Sequence, residues 1–156
     1  MKVVVANDHR GRDAVEQVKA VIAQLGFECL DCTCSGDQPV DYPDTAYIAA
    51  KTVADGEADY AILICGTGIG MSIAANKVKG IRAALCYDEL AAQLSREHND
   101  ANVLCLSGDL IGPTMLRKIV ETWLTKEFVA GRHLRRVKKI EAMEAGRDPR
   151  DITTDQ

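Results

Sequence analysis

The sequence predicts an α/β fold in which helices cover both faces of a five-stranded parallel sheet. Short β-branched or apolar runs alternate with longer segments of helical periodicity along the whole chain, as in a parallel sheet with crossover helices. The run Tyr60–Cys65 (YAILIC) is continuously apolar, which is expected of a strand buried on both faces. A chain of 156 residues suits one domain, and we expect it to span residues 1–145, followed by a polar, frayed tail at 146–156.

Each element is predicted from its own pattern. Asp41 followed by Pro43 is typical of a helix start, and the stretch before it, with Gly36, Asp37 and Pro39, predicts a loop. The predicted strands are Lys2–Ala6, Phe27–Asp31, Tyr60–Cys65, Ile81–Cys86 and Val103–Ser107. The predicted helices are Arg10–Leu25, Asp41–Asp55, Gly70–Lys77, Glu89–Glu97, Pro113–Val129 and Arg132–Ala145. The apolar side of the fifth helix comprises Met115, Leu116, Ile119, Val120 and Trp123.

Composition excludes several classes of function. The net charge of −4 and an aromatic content of 4% disfavour a nucleic-acid-binding protein. No segment approaches the roughly 20 apolar residues of a membrane span, and the apolar N-terminal run is too short for a signal peptide. We therefore expect a cytoplasmic protein with reduced cysteines, no membrane partner and no cofactor. Cys29, Cys32 and Cys34 lack a second Cys or His pair at zinc-site spacing, so no metal site is expected.

Three alternating glycines follow the third predicted strand. Gly66, Gly68 and Gly70 at a strand-to-helix turn allow backbone N–H groups to approach an anion closely. A dinucleotide fingerprint would place its third glycine at Met71, but Asp88 lies at a suitable distance downstream, so that interpretation stays open. The same donors could hold an oxyanion instead, with the preceding Cys65 as a proton-transferring thiolate. Alternatively, Cys65 is a small buried hydrophobe.

Polar clusters mark further candidate positions. Ligands bind beyond the carboxyl ends of strands in such sheets, which leads us to expect that Asp8–Arg10, Cys65–Gly70 and the loop with His98–Asn99 meet at that edge. Histidine suits proton transfer near neutral pH, although these histidines could also be capping residues, and Asn99 could belong to a turn. Arg132 and Arg136, four residues apart on one helix face, could bind a phosphate or form a solvated basic surface.

Six motifs together resemble one family. The segments DHRG, DYPD, ICGTGIGMSIAANK, GIRAALC, SREHNDANVL and GRHLRRV occur over about residues 1–140. In this order they resemble the sugar-phosphate isomerases that include type B ribose-5-phosphate isomerase and the galactose-6-phosphate isomerase subunits. The resemblance implies a Rossmann-like three-layer α/β/α sandwich and aldose–ketose isomerisation through an enediolate without a metal. It also implies a homodimer or homotetramer with active sites between subunits and a C-terminal helix used in dimerisation.

The resemblance also implies residue roles. It makes Cys65 the catalytic base, Thr67 with the backbone of Gly66, Gly68 and Gly70 the anion hole, and His98 the residue that assists ring opening. It places Asp8, Tyr42 and Asn99 against the sugar, and His9, Arg132 and Arg136 against the phosphate.

One position departs from the family pattern. Related enzymes commonly carry L-G-A-R after the last strand, with the arginine helping to hold phosphate, whereas this chain has LSGD ending in Asp109. Ribose 5-phosphate is the expected substrate, and a four- or six-carbon sugar phosphate is the alternative that Asp109 keeps open. A nucleotide-binding module without chemistry is a third interpretation, and a requirement for a second type of subunit is a fourth.

Overall fold

The computed structural model describes residues 1–34 and 38–153, and in it five parallel strands form one sheet in the order β2-β1-β3-β5-β4. The strands are β1 (Lys2–Asn7), β2 (Glu28–Asp31), β3 (Tyr60–Cys65), β4 (Ala83–Leu85) and β5 (Val103–Ser107). The helices are α1 (Arg12–Gln24), α2 (Tyr42–Ala54), α3 (Ile69–Ala75), α4 (Glu89–Asn99), α5 (Pro113–Thr125) and α6 (Arg132–Glu144). The predicted α/β class and parallel sheet are confirmed. Gly36 and Asp37 of the predicted loop lie outside the described residues.

Two apolar cores lie on opposite faces of the sheet. On one face, the alternate strand residues Val5, Ile64 and Leu106 pack against α1, α4 and α5, with Trp123 fully buried. On the other face, their neighbours in the strands pack against α2 and α3. Because successive side chains of a strand point to opposite faces, a strand covered on both sides must be apolar at every position. The chain is therefore a three-layer sandwich.

Some predicted boundaries differ from the structure. Helix α5 ends at Thr125 rather than Val129, because the amide of Val129 bonds to the carbonyl of Glu97 (3.0 Å) instead of continuing the helix. Met115 does not join the apolar side of α5 and is 40% exposed, since it lies one residue, about 100°, from the buried Leu116. Asp41 does precede α2, but its side chain makes no capping bond within the described chain.

The predicted tail is partly structured. Residues Pro149–Asp151 form a short 3-10 turn, and the side-chain ammonium of Lys139 (Nζ) donates to the carbonyl of Pro149 (2.8 Å), which ties the turn to α6. The side chain of Asp148 accepts from the Arg150 amide at the start of this turn. Residues 154–156 of the predicted tail lie outside the described residues.

The loops that follow β1, β3 and β5 are in close backbone contact. The amide of Asp8 donates to the Ile64 carbonyl (3.0 Å), and the amide of Gly108 donates to the Cys65 carbonyl (2.8 Å). A Cβ on Gly11 would lie 2.5 Å from the Ile64 carbonyl oxygen, and one on Gly108 would lie 2.7 Å from the Arg10 carbonyl oxygen. These strands are neighbours in the sheet, so their loops form one continuous backbone surface at its carboxyl edge.

Gly11→Ala should destabilise the fold through this contact. The added methyl must displace the Ile64 backbone, and overpacking of this kind costs about 1–3 kcal/mol. Gly112→Ala is the matched control, because Gly112 also occupies a helix N-cap and a Cβ there meets nothing within 4 Å. The measurement is the free energy of unfolding in urea for both variants. Equal losses would show that the Gly11 contact relaxes at no cost.

Candidate active site

The glycine loop curls over the sulfur of Cys65. Cys65 is the last residue of β3 and is 5% exposed, and its Sγ accepts a hydrogen bond from the amide of Gly68 (3.1 Å). Gly68 has φ 78°, and a Cβ there would lie 2.6 Å from Leu85 Cδ1, so the turn needs glycine on both counts. The amide is placed to stabilise negative charge on the sulfur, as a proton-transferring thiolate requires.

Thr67 stands at the outer side of the same turn. It is exposed, its Oγ1 accepts from the amide of Ile69 (3.3 Å), and its carbonyl accepts from the hydroxyl of Tyr87 (2.7 Å). Hydrogen bonds to the hydroxyl and to the carbonyl of Thr67 thus fix the loop, while the residue stays exposed to solvent. Such a fixed turn can present N–H and O–H donors to a developing oxyanion without reorganising.

The other buried cysteines are in surroundings that favour the neutral thiol. Burial raises the pKa of Cys86 to about 11 and raises the pKa of Cys105 well above its ordinary range. Cys105 is fully buried in β5, and Cys86 lies in the core on the α1 face. Neither sulfur lies in the glycine loop, so neither is a candidate for proton transfer there.

Asp8, His9 and Tyr42 lie at the same edge as Cys65. The buried Asp8 carboxylate accepts from the amides of Arg10 (2.8 Å) and Gly11 (3.2 Å) through Oδ1, which shapes the loop after β1. The Tyr42 ring covers Gly70, where a Cβ would lie 2.6 Å from Cε2 of the ring. His9 Nδ1 lies 3.3 Å from the Val40 carbonyl oxygen, beside the start of α2. We call this set, comprising Asp8, His9, Tyr42, Cys65, Thr67 and the glycine loop, the carboxyl-edge group.

His98 and Asn99 do not join this group within the chain. Helix α4 leaves the carboxyl end of β4 and must cross the sheet before β5 can run parallel to β4, so its last residues lie at the amino edge. Next to them, Asp100 Oδ2 accepts from Arg82 (2.8 Å), which immediately precedes β4. The expectation that the His98–Asn99 loop meets Cys65 at the carboxyl edge is therefore wrong for a single chain.

Helix α6 begins beside His98. The imidazole rings of His98 and His133 stack with centroids 4.0 Å apart and an interplanar angle of 5°. His133 is 7% exposed and its Nδ1 meets no hydrogen-bond partner among the described residues. Arg132 and Arg136 lie on α6 with His133, so they are at the same amino edge as His98 and Asn99. We call these four residues the amino-edge group.

Asp109 proves to be paired with a cation. Its Oδ2 accepts from Arg10 Nη2 (2.7 Å) and Nε (3.2 Å), next to Gly66. The sequence analysis treated Asp109 as an unpaired acid, and it placed Arg10 at the binding edge without giving it an individual role. The available signal was the opposite charge of two residues that follow two strands, but only the strand order shows that β1 and β5 both flank β3.

The acidic residue that a dinucleotide site would need, Asp88, is engaged elsewhere. The side chain of Asp88 caps α4 by accepting from the Ala91 amide (2.7 Å), and Met71, at the third glycine position, is fully buried. Within residues 1–34 and 38–153, no group of three or more His, Cys, Asp or Glu side chains is arranged to hold a metal ion. No helix of these residues is long and apolar enough to cross a membrane.

Comparison with known proteins identifies the family of this chain. A family model described as ribose/galactose isomerase matches residues 3–140. The chain belongs to this family. Ribose-5-phosphate isomerase B of Escherichia coli is 42% identical over 147 residues, which cover 94% of this chain and 99% of the relative. The D-erythrulose-4-phosphate isomerase of Pectobacterium atrosepticum is 39% identical over 142 residues, which cover 90% of this chain and 93% of the relative.

A solved structure supports the fold as well. Ribose-5-phosphate isomerase B of Clostridium thermocellum superposes with a TM-score of 0.91 at 45% identity, covering 94% of this chain and 99% of that one. The Rossmann-like architecture implied by the motifs is thereby confirmed. The family membership makes the protein an aldose–ketose isomerase of sugar phosphates.

Acidification should destabilise the protein through His133. Burial, and then the charges of His98, Arg132 and Arg136, lower the pKa of His133 in the folded chain. The unfolded chain therefore takes up the proton at higher pH, so the stabilisation is fully present above about pH 6.5 and is lost as the pH falls through the lowered folded pKa. We expect the urea concentration at the midpoint of unfolding to decrease as the pH is lowered below about 6.5. His133→Asn should make this concentration less dependent on pH. Parallel losses in both proteins would assign the effect to other groups.

Proposed function

We propose that the protein interconverts ribose 5-phosphate and ribulose 5-phosphate, with Cys65 as the base that moves the proton. The observation that carries the proposal is the Cys65 sulfur, buried under the glycine loop and bonded to the Gly68 amide (3.1 Å). The relatives from Escherichia coli and Clostridium thermocellum, both named ribose-5-phosphate isomerase B, support the choice of sugar.

The proposed reaction uses residues of both the carboxyl-edge group and the amino-edge group. His98 assists opening of the sugar ring, and the Cys65 thiolate takes the proton from carbon 2 of the open aldose. The electron pair moves into an enediolate whose oxyanion meets the loop amides and Thr67. The thiol then returns the proton to carbon 1 while the hydroxyl proton on oxygen 2 is released and oxygen 1 becomes protonated, which gives the ketose.

The active site in this proposal is shared between subunits of a homodimer or homotetramer. The carboxyl-edge and amino-edge groups lie at opposite ends of one sheet, so one substrate can meet both only across two copies. Helices α3 and α6 also carry exposed apolar side chains of the kind an interface covers. These are Ile69 and Ile73 on α3 and Ile140 and Met143 on α6.

A four-carbon sugar phosphate is the second candidate substrate. It is favoured by the relative named D-erythrulose-4-phosphate isomerase and by Asp109, which changes the end of the site beside Gly66. The nucleotide-binding module is disfavoured because Asp88 already caps α4.

Cys65→Ala should abolish turnover while leaving the fold intact. The thiolate supplies the general base, and losing a group of this kind costs at least about 100-fold in kcat. The measurement is isomerisation of ribose 5-phosphate alongside four- and six-carbon aldose and ketose phosphates. Cys86→Ala is the matched control, because Cys86 is equally buried but lies outside the glycine loop.

This panel of sugar phosphates distinguishes the candidate substrates and tests the role of Cys65. Turnover of ribose 5-phosphate that disappears in Cys65→Ala supports the proposal, whereas turnover confined to another sugar phosphate replaces the substrate and keeps the chemistry. Near-normal turnover by Cys65→Ala would show that another group is the base.

Mixing two inactive variants should restore activity if the site is shared. In a dimer of one Cys65→Ala and one His98→Asn chain, one site carries both changes and the other carries neither. Random exchange of equal amounts should restore about a quarter of the wild-type activity. The measurement is kcat after the variants are unfolded together and refolded.

The same experiment has a clear negative outcome. If one chain supplied both residues, every site in the mixed dimer would carry one change and no activity would return. Refolding each variant alone is the control for recovery of the fold.

A further inference from the structure

The Arg10–Asp109 pair differs in placement from the ion pairs that lie within a single helix. Pairs such as Lys51–Asp55 and Arg117–Glu121 connect successive turns of one exposed helix. Arg10 and Asp109 instead join the loops after β1 and β5, which flank the glycine loop that follows Cys65. An exposed ion pair contributes little stability, so its placement calls for another explanation.

Hydrogen bonds fix the backbone position of both Arg10 and Asp109. The amide of Arg10 donates to Asp8 Oδ1 (2.8 Å), and the amide of Asp109 donates to the Gly66 carbonyl (3.1 Å). A Cβ on Gly66 would lie 2.9 Å from Asp109 Oδ2 and 3.6 Å from Arg10 Cβ. The pair therefore lies directly against the first glycine of the glycine loop.

The guanidinium keeps donors for a ligand. Its hydrogen bonds from Nε and Nη2 both end on Asp109 Oδ2, which leaves the Nη1 group unengaged by any described residue. The Arg10 side chain is 60% exposed at this edge. A guanidinium with one side fixed by a carboxylate is pre-oriented, so its remaining N–H groups can bind an anion at a smaller entropic cost.

The pairing also removes the electrostatic objection to Asp109. A lone carboxylate beside the loop would repel a phosphate, whereas here the carboxylate is paired with Arg10, whose side chain is the more exposed of the two. The neighbouring His9 is the residue already expected to meet the phosphate end, and it adjoins Arg10 in the chain.

We propose that Arg10 binds the phosphate of the substrate and that Asp109 is the positioning residue that holds its guanidinium beside the glycine loop. The proposal deepens the proposed function and rests on it. The pair then determines specificity for the phosphate. Arg10, which follows β1, supplies the cation, and Asp109, which follows β5, orients it.

Arg10→Ala should act on phosphate binding rather than on proton transfer. We expect KM for the sugar phosphate to rise at least about 10-fold with kcat changed much less, as for loss of an interaction made equally in ground and transition states. Arg10→Lys should recover part of the loss. Arg117→Ala, which removes an arginine from a helix-surface pair, is the matched control.

The same sugar without its phosphate provides a second readout. Loss of a phosphate contact should leave its slow turnover unchanged by Arg10→Ala, whereas distortion of the loop would lower both activities. Equal effects on the two substrates would overturn the assignment.

Binding of inorganic phosphate separates this inference from the proposed function. Calorimetric titration should show weaker binding by Arg10→Ala than by the wild type, whether or not any sugar of the panel is isomerised. If the wild type isomerises a sugar phosphate and Arg10→Ala keeps its KM and its affinity for phosphate, the inference fails and the proposed function stands.

The positioning role of Asp109 is tested by moving the cation. Asp109→Asn should raise KM less than Arg10→Ala does, because the guanidinium remains but is no longer held. In Arg10→Ala/Asp109→Arg the cation comes from β5 instead, and we expect KM to recover relative to Arg10→Ala alone. A large fall in kcat for Asp109→Asn with KM unchanged would instead place Asp109 against the reacting end of the sugar and overturn the assignment.

Discussion

The close approach of three backbone loops at the carboxyl edge of the sheet is the constraint on which the rest of the site depends. Gly11 lies against the Ile64 carbonyl and Gly108 against the Arg10 carbonyl, with no room for a side chain at either position. The loop after β3 is therefore confined between its two neighbours. This confinement fixes the Gly68 amide over the Cys65 sulfur and brings Arg10 within reach of Asp109.

The parallel sheet imposes a second constraint. Each crossover helix starts at the carboxyl edge and ends at the amino edge, so residues at the two ends of a helix cannot meet in one chain. Cys65 lies at one edge, whereas His98 stacks on His133 at the other. In the proposed enzyme, assembly of two copies is what completes an active site, and association becomes part of catalysis.

The chemistry and the specificity of the site then depend on different parts of the chain. In our proposal the proton is moved by one sulfur under backbone donors, which are the same for any aldose phosphate. The phosphate end is built from side chains, including the Arg10–Asp109 pair. Relatives named for sugar phosphates of different length are consistent with this division.

The sequence by itself determined the fold class and most of its elements. Continuous apolar strands such as Tyr60–Cys65 and the glycines after them depend on local composition, and the strand was predicted with the bounds that the structure has. Helix ends were harder, as at Thr125, because the Glu97 carbonyl that captures the Val129 amide is distant in sequence. Only the tertiary structure decided that His98 lies away from Cys65 and that Asp109 is neutralised by Arg10. Both facts depend on strand order and helix direction, which bring together or separate residues up to 99 positions apart.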